Sequence, residues 1–316
     1  MNIGTKEAAE FLRDHDNYLI YTHASPDADT IGSACALCLI LRSMGKTASA
    51  VNPEKIPRKL DFLPINEIFT DIPENTDGFT LVSVDVASAK MLVGTKVPKF
   101  ALSIDHHRVN TIDCGLLCDK YTYIAAGEII FEIMKELDVA LTKEIAFPLY
   151  AAICSDSGGF RYDATRPETH ITAAELIKTG IDFSYICRRL FESKSMNEIA
   201  LIRIAYSKIK LLRNGQFAYI AITPEEFKES GAEESDFDAI NLIPREIENV
   251  KASAVIREKN GMIKISMRSN DMIDMAAIAK ANGGGGHYHA AGFSVKGTIE
   301  EACELIERIF EEIETE

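Results

Sequence analysis

A two-domain α/β protein, its larger N-terminal domain built on a mostly parallel sheet with flanking helices, is what this 316-residue sequence predicts. Three observations predict it. Short apolar strand patterns alternate with helical patterns through the first half, which implies right-handed crossovers and parallel pairing. A long helical pattern near residue 200 runs without a breaker. Beyond Asn214-Gly215 the character changes to strand-rich segments, the mark of a smaller second α/β domain. A chain of this length can bury two hydrophobic cores.

Taken in order, Lys6 to Arg13 reads as an amphipathic helix and the run NYLIYTH as a short strand ending in a polar loop. Thr30 to Met44 reads as a buried helix closed by Gly45. KTASAVN, TLVSVDV and FALSIDHH read as further strands, the last two running into acidic or histidine residues. Helical patterns follow at Ala126 to Leu137 and Lys143 to Ser155. Residues 1–192 form the first domain in this reading, 193–212 a helical connector (SMNEIALIRIAYSKIKLL at its heart), and 213–316 the second domain. In the second, QFAYIAIT, VKASAVIRE and GMIKISMRS are strand-like, the last two joined by a Lys-Asn-Gly hairpin turn. A helix from Met272 to Ala281, a glycine cluster, the strand AGFSV and an acidic terminal helix complete it.

Composition excludes more than it identifies. Apolar residues at 47% and charged residues at 26% are those of a soluble globular protein. The charged N-terminal stretch is neither a secretory signal nor a transit peptide, and the longest apolar run, Ala34 to Leu41, is too short to cross a bilayer. Seven cysteines, an odd number and singly scattered, read as reduced thiols of a cytoplasmic protein. Cys35 and Cys38 are apolar filler in a buried helix. A net charge of −14 without any basic cluster argues against tracking a long nucleic acid, whose phosphates such a surface repels. A small anion entering a local metal-lined site meets no such barrier.

Ligands of α/β sheets bind beyond the carboxyl ends of the strands, and four segments deliver metal-binding side chains there. THASPDADTIGS offers His23, Asp27 and Asp29 on one loop, although Asp29 or Thr30 could simply cap the next helix. VSVDVAS places Asp85, and LSIDHHRVN places Asp105, His106 and His107, at strand exits. AAICSDSGGFRY brings Asp156 off a helix that Gly158 and Gly159 would stop. Any one of these could be a turn or a cap; together they converge. Carboxylates with imidazoles and no cysteine suit Mn²⁺ or Mg²⁺ rather than structural zinc. The set suffices for two ions sharing a bridging carboxylate, which at about 3.5–4 Å apart can drive an in-line phosphoryl displacement. A fifth segment, Asn282 to Gly292, has four consecutive glycines, whose N–H groups can converge on an anion, and Arg268 just before it can pair with phosphate. The bland alternative is a flexible linker.

With these motifs in this order the chain resembles the DHH/DHHA1 phosphoesterase family over nearly its whole length, named for the Asp-His-His at 105–107. The segments SDSGGFRYDATRPETHITAAELIKTG and MRSNDMIDMAAIAKANGGGGHYHAAGFSV resemble its compact type, which acts on short oligoribonucleotides and 3′-phosphoadenosine 5′-phosphate. The resemblance implies a DHH domain and a DHHA1 domain across a cleft. It implies that His23, Asp27 and Asp85 hold one metal, and that Asp29, Asp85, His106 and Asp156 hold the other. His107 would contact the scissile phosphate, Asp105 would orient a ligand histidine, and a hydroxide bridging the ions would be the nucleophile. Arg268, Gly285, Gly286 and His287 would grip the substrate's end, with Tyr288 standing where the family usually has proline.

The cofactors implied are two divalent ions, Mn²⁺ first and Mg²⁺ second. The partner is a short nucleotide, with no long nucleic acid and no membrane, and room for a homodimer. The rival substrate class is a cyclic or linear dinucleotide such as cyclic di-AMP or pApA. A single-strand exonuclease would need a basic groove, and an inorganic pyrophosphatase a more basic second domain. A catalytically dead nucleotide sensor would lack a ligand, and none of the six is missing. His170 reads as structural and His15 as a surface residue, with His289 and Arg161 as weaker candidates near the site.

Overall fold

The computed structural model describes residues 1–93 and 96–313. The side chain of His287, assigned above to the substrate, lies outside the described residues. The chain divides into two compact units, Met1–Ser193 and Lys194–Glu316. Among the described residues, no helix is long and apolar enough to cross a membrane.

In the first unit, β1 (Tyr18–Tyr21), β2 (Ala48–Val51), β3 (Thr80–Val84), β4 (Phe100–Asp105) and β5 (Cys114–Asp119) form an all-parallel sheet in the order β2-β1-β3-β4-β5. The sequence reading had no β5; its CGLLCD pattern is only partly buried and lacks a clean alternation. The order reverses between β2 and β3 about β1, so the crevice beyond β1 and β3 is where such a sheet takes ligands. Tyr18 and Ile20 of β1, Val82 and Val84 of β3, and Leu102 and Ile104 of β4 join the main core. That core includes α1 (Thr5–Asp14), α2 (Ala28–Ser43), α4 (Ala126–Glu136) and α5 (Lys143–Asp156). A short α3 (Ile65–Ile68), α6 (Pro167–Lys178) and α7 (Phe183–Cys187) complete the helices of this unit. Leu19, Tyr21 and Phe100 belong to a second, smaller core with Val51, Val86, Leu92 and Ile112.

Helix α2 is buried on nearly every side, which is why its sequence shows no polar stripe. It lies so close to α5 that a Cβ on Gly32 would stand 2.6 Å from the Pro148 carbonyl oxygen. A Cβ on Gly127 would likewise meet Ala152 Cβ at 2.8 Å, so glycine lets α4 approach the same pair. This tight three-helix packing fixes where α2 begins and where α5 ends, and both ends carry candidate ligands.

The second unit opens with α8 (Met196–Ser207), and here the structure corrects the helical connector drawn to residue 212. The helix stops at Ser207, and β6 (Lys210–Leu212) pairs antiparallel with β7 (Phe217–Ile222) across a loop holding Asn214 and Gly215 at positive φ. After α9 (Pro224–Ser230) and α10 (Phe237–Ile240) come β8 (Ala252–Lys259) and β9 (Met262–Ser269). They form the expected hairpin, with Asn260 and Gly261 at φ of 54° and 72° in its turn. Helix α11 (Met275–Ala281), β10 (Gly285–His287), β11 (Ala290–Val295) and α12 (Ile299–Glu312) follow, giving a mixed sheet in the order β10-β11-β9-β8-β7-β6.

Candidate metal centre

Each of the six residues assigned to metals sits at the end of an element, and the first unit brings all six together. His23 follows β1. Asp27 caps α2, its Oδ1 accepting from the Thr30 N–H at 3.0 Å, so this aspartate does the capping job that Asp29 or Thr30 had been offered. Asp29 is the second residue of the helix and is fully buried. Its carboxylate accepts from the Ser33 hydroxyl at 2.9 Å and from the Ala126 and Gly127 N–H groups, at the start of α4, at 2.7 and 3.0 Å. Asp85 follows β3 at φ 59°, a left-handed conformation that a short polar side chain tolerates at a cost usually found at functional sites. Asp156 is the last residue of α5; Gly158 and Gly159, at φ 58° and 72°, turn the chain away behind it.

The donor atoms form two groups that share one residue. His23 Nε2 stands 3.8 Å from Asp27 Oδ2 and 3.2 Å from Asp85 Oδ2. His106 Nε2 stands 3.4 Å from Asp85 Oδ1, 3.6 Å from Asp29 Oδ2 and 3.5 Å from Asp156 Oδ2. Within each of the sets His23–Asp27–Asp85 and Asp29–His106–Asp156, ligand atoms lie within 4.8 Å of one another. These separations are long for direct hydrogen bonds. They match atoms arranged around a common centre, since two ligands each about 2.1 Å from an ion stand about 3.0–3.4 Å apart. Asp85 Oδ1 is buried and, among the described residues, accepts no hydrogen bond. A divalent cation fits this donor set.

The electrostatics tell the same story. Burial and the charge of Asp85 push the Asp29 carboxyl up to about 7. Asp156 is also raised well above its ordinary value, by its enclosure and by Asp29 and Asp27. Burial works against ionising Asp85, but the His106 and His23 imidazoles outweigh it and hold that carboxyl low. Burial disfavours a charged His23 too, yet Asp85 and Asp27 raise it to about 10. Four carboxylates crowded around a few imidazoles are poorly balanced by protein groups alone, and positive charge from outside relieves them.

His107 and Asp105 adjoin these groups: His107 Nδ1 stands 3.4 Å from Asp85 Oδ1, and Asp85, His106 and His107 make a third set of close donor atoms. Asp105 is fully buried, and its Oδ1 accepts from His107 Nδ1 at 2.8 Å and from the N–H groups of His106 and His107 at 2.9 and 3.3 Å. The carboxylate thus holds the ring of His107 rather than that of His106. A carboxylate can only accept, so the proton sits on Nδ1.

The glycine run is not the flexible linker offered as the bland alternative. Gly283, at φ 79°, follows the end of α11, and Gly285 and Gly286 belong to edge strand β10. A Cβ on Gly284 would lie 2.2 Å from the Gly292 carbonyl oxygen, and one on Gly286, 2.5 Å from Ala291 Cα. Close approach to β11 therefore demands glycine at both. Gly285, like Gly283, has open space where a side chain would be. Arg268 is half-buried on β9, in register with Ala290, and donates from Nη1 to the Met267 carbonyl at 2.9 Å. His289 bonds the Ser269 hydroxyl at 2.9 Å, which gives it a structural task in the hairpin turn. His170 stacks on Phe160, His15 stacks on Phe11, and Arg161 Nε donates to the Gly158 carbonyl, so none of the three enters the cluster.

Comparison with known proteins follows this division. The profile described as DHH family, N-terminal domain, matches residues 17–153, and the DHHA1 domain profile matches residues 214–312. The bifunctional oligoribonuclease and PAP phosphatase NrnA of Thermus thermophilus is 33% identical over 297 residues, 93% of this chain and 89% of that protein. The protein of the same name from Bacillus subtilis is 27% identical over 290 residues, 89% and 90% of the two chains. Among solved structures, an exopolyphosphatase-related protein from Bacteroides fragilis superposes with a TM-score of 0.88 at 26% identity, covering 97% of this chain and 95% of that one.

Proposed function

The chain belongs to the DHH family, its DHH domain followed by a DHHA1 domain, and on that premise we propose that it is a two-metal phosphoesterase acting on short oligoribonucleotides and 3′-phosphoadenosine 5′-phosphate. The observation that carries this reading is the pair of donor sets meeting at Asp85. His23, Asp27 and Asp85 would hold one ion; Asp29, Asp85, His106 and Asp156 the other. Mixed carboxylate and imidazole donors favour Mn²⁺, then Mg²⁺, over Ca²⁺, which prefers more oxygen ligands at longer distances. The chemistry that two such ions supply when bound is activation of a water and neutralisation of charge on the phosphate oxygens.

The chain's own residues do the rest. Asp29, pinned by the start of α4, keeps part of the ligand frame rigid, so less reorganisation is needed as charge develops. His107, held through Nδ1 by Asp105, would contact the scissile phosphate. In the second unit, Arg268, the backbone of Gly285 and Gly286, and His287 would take the substrate's terminal phosphate or nucleotide. The substrate class rests on the activities named for the Thermus and Bacillus relatives, which align over most of both chains. Seven cysteines without a disulfide support a cytoplasmic setting.

A substrate panel with Mn²⁺ tests the reading. Di- to pentaribonucleotides and phosphoadenosine phosphate are expected to be hydrolysed with the highest kcat/KM. A higher value for cyclic dinucleotides would move the chain to the dinucleotide phosphodiesterases, and one for pyrophosphate would reject the nucleotide reading.

A further inference from the structure

Asp105 spends only one of its carboxylate oxygens on His107. The other, Oδ2, accepts from Asn110 Nδ2 at 2.6 Å. Asn110 is half-buried, and its amide is used on every side. Nδ2 also donates to the carbonyl of Val86 at 3.2 Å, the residue after Asp85, while Oδ1 accepts from the Ile112 N–H at 2.9 Å. The next residue continues the seam, the Thr111 N–H donating to the Ala87 carbonyl at 2.7 Å. Flipping the amide would set oxygen against two acceptors, so the network fixes its orientation.

We propose that Asn110 is a positioning residue for catalysis: it locks the Asp105 carboxylate, and through it the His107 imidazole, to the loop that carries Asp85. Rotation about the last bond of an aspartate is soft. Asp105 is fully buried, and its orientation depends on what holds the oxygen that does not face His107. A lysine or arginine there would hold it equally well but would cancel its charge. A neutral amide fixes the geometry and leaves the full negative charge to orient the imidazole. The second bond, to Val86, ties this pair to the Asp85 loop, so that His107 and the shared ligand move together.

The inference rests on His107 as the phosphate contact, and a double-mutant cycle keeps the two claims apart. Asn110→Ala and Asn110→Asp would be measured alone and combined with His107→Ala, in Mn²⁺-loaded full-length protein with a short oligoribonucleotide, alongside metal content. Asn110→Ala is expected to keep its metals and lower kcat by about tenfold to a hundredfold, as loss of an outer partner does, with KM changing far less. Asn110→Asp, nearly isosteric, sets a carboxylate against Asp105 and should lose at least as much while preserving the loop's shape. In the His107→Ala background neither change should slow the enzyme further, because the residue they act through is gone. An equal loss in both backgrounds would make Asn110 a loop brace and overturn the proposal, as would an unchanged kcat in both single variants. If His107→Ala itself left kcat unchanged, the role of His107 would fall first, and the assignment of Asn110 with it.

Discussion

Replacing Asp29 with asparagine is expected to stabilise the metal-free protein at alkaline pH while abolishing turnover. Asp29 is fully buried, and its three hydrogen bonds do not offset burial and the neighbouring charge of Asp85, so its carboxyl is held up at about 7 rather than 3.8. In the unfolded chain the same group ionises near its ordinary value. Between these limits the folded state keeps a proton that the unfolded state has released, so stability falls as pH rises through that window. A displacement from 3.8 to about 7 amounts to about 4 kcal/mol against the folded state once both forms are ionised. Asparagine resembles the protonated acid in shape and never ionises, but its amide nitrogen cannot accept from a backbone N–H as both oxygens of Asp29 do, a cost of about 1–3 kcal/mol that is the same at every pH. The variant should therefore be less stable than the wild type in acid by that constant cost, and its stability relative to the wild type should rise by about 2–3 kcal/mol between about pH 5 and about pH 8. Urea denaturation followed by circular dichroism, in excess chelator, reads this as a shift in midpoint at constant slope. A stability difference between the two proteins that is the same at both pH values would refute the reasoning. Adding Mn²⁺ should reverse the ranking, since only the wild type gains from binding.

Two further substitutions probe other parts. Gly158→Ala, at φ 58° with its new Cβ only 2.5 Å from the Tyr162 ring, should cost about 2–4 kcal/mol from left-handed backbone and overpacking together. Adding Tyr162→Ala should return the steric share and leave the backbone share, as thermal unfolding would show; full recovery or none would contradict this. Arg268→Ala should raise KM for short oligoribonucleotides about tenfold to a hundredfold, the worth of a charge-assisted contact. The same variant should leave metal content and turnover of bis-p-nitrophenyl phosphate near wild type; equal losses on both substrates would place Arg268 in the catalytic core.

The candidate ligands were legible because chemistry and position coincide in one dimension. Asp85 and the triplet Asp105 to His107 each follow an apolar strand, and a parallel sheet sends all its strand exits to one side. The supports were not legible. Nothing in the sequence links Ala126 and Gly127 to Asp29, a hundred residues earlier in the chain, or shows that Asp105 would choose His107 over His106. Part of the demand for glycine was not legible because it is long-range: Gly284 and Gly286 are small for the sake of Gly292, Ala291 and Phe293 on the neighbouring strand. The connector misled because its apolar pattern continues past Ser207, although Asn214-Gly215 could have been read as a turn that pulls Lys210–Leu212 into a hairpin. Helix α9 went unread despite a clear start signal, Thr223 capping Glu226 with Pro224 between them.

The two-metal claim at the centre of this account is tested most directly by counting ions. Chelator-stripped protein titrated with Mn²⁺ should bind two ions per chain, with activity following the second, and Asp85→Ala should bind neither tightly because that carboxylate faces both donor sets. One ion per chain in the wild type, full binding by Asp85→Ala, or undiminished hydrolysis in excess chelator would contradict it.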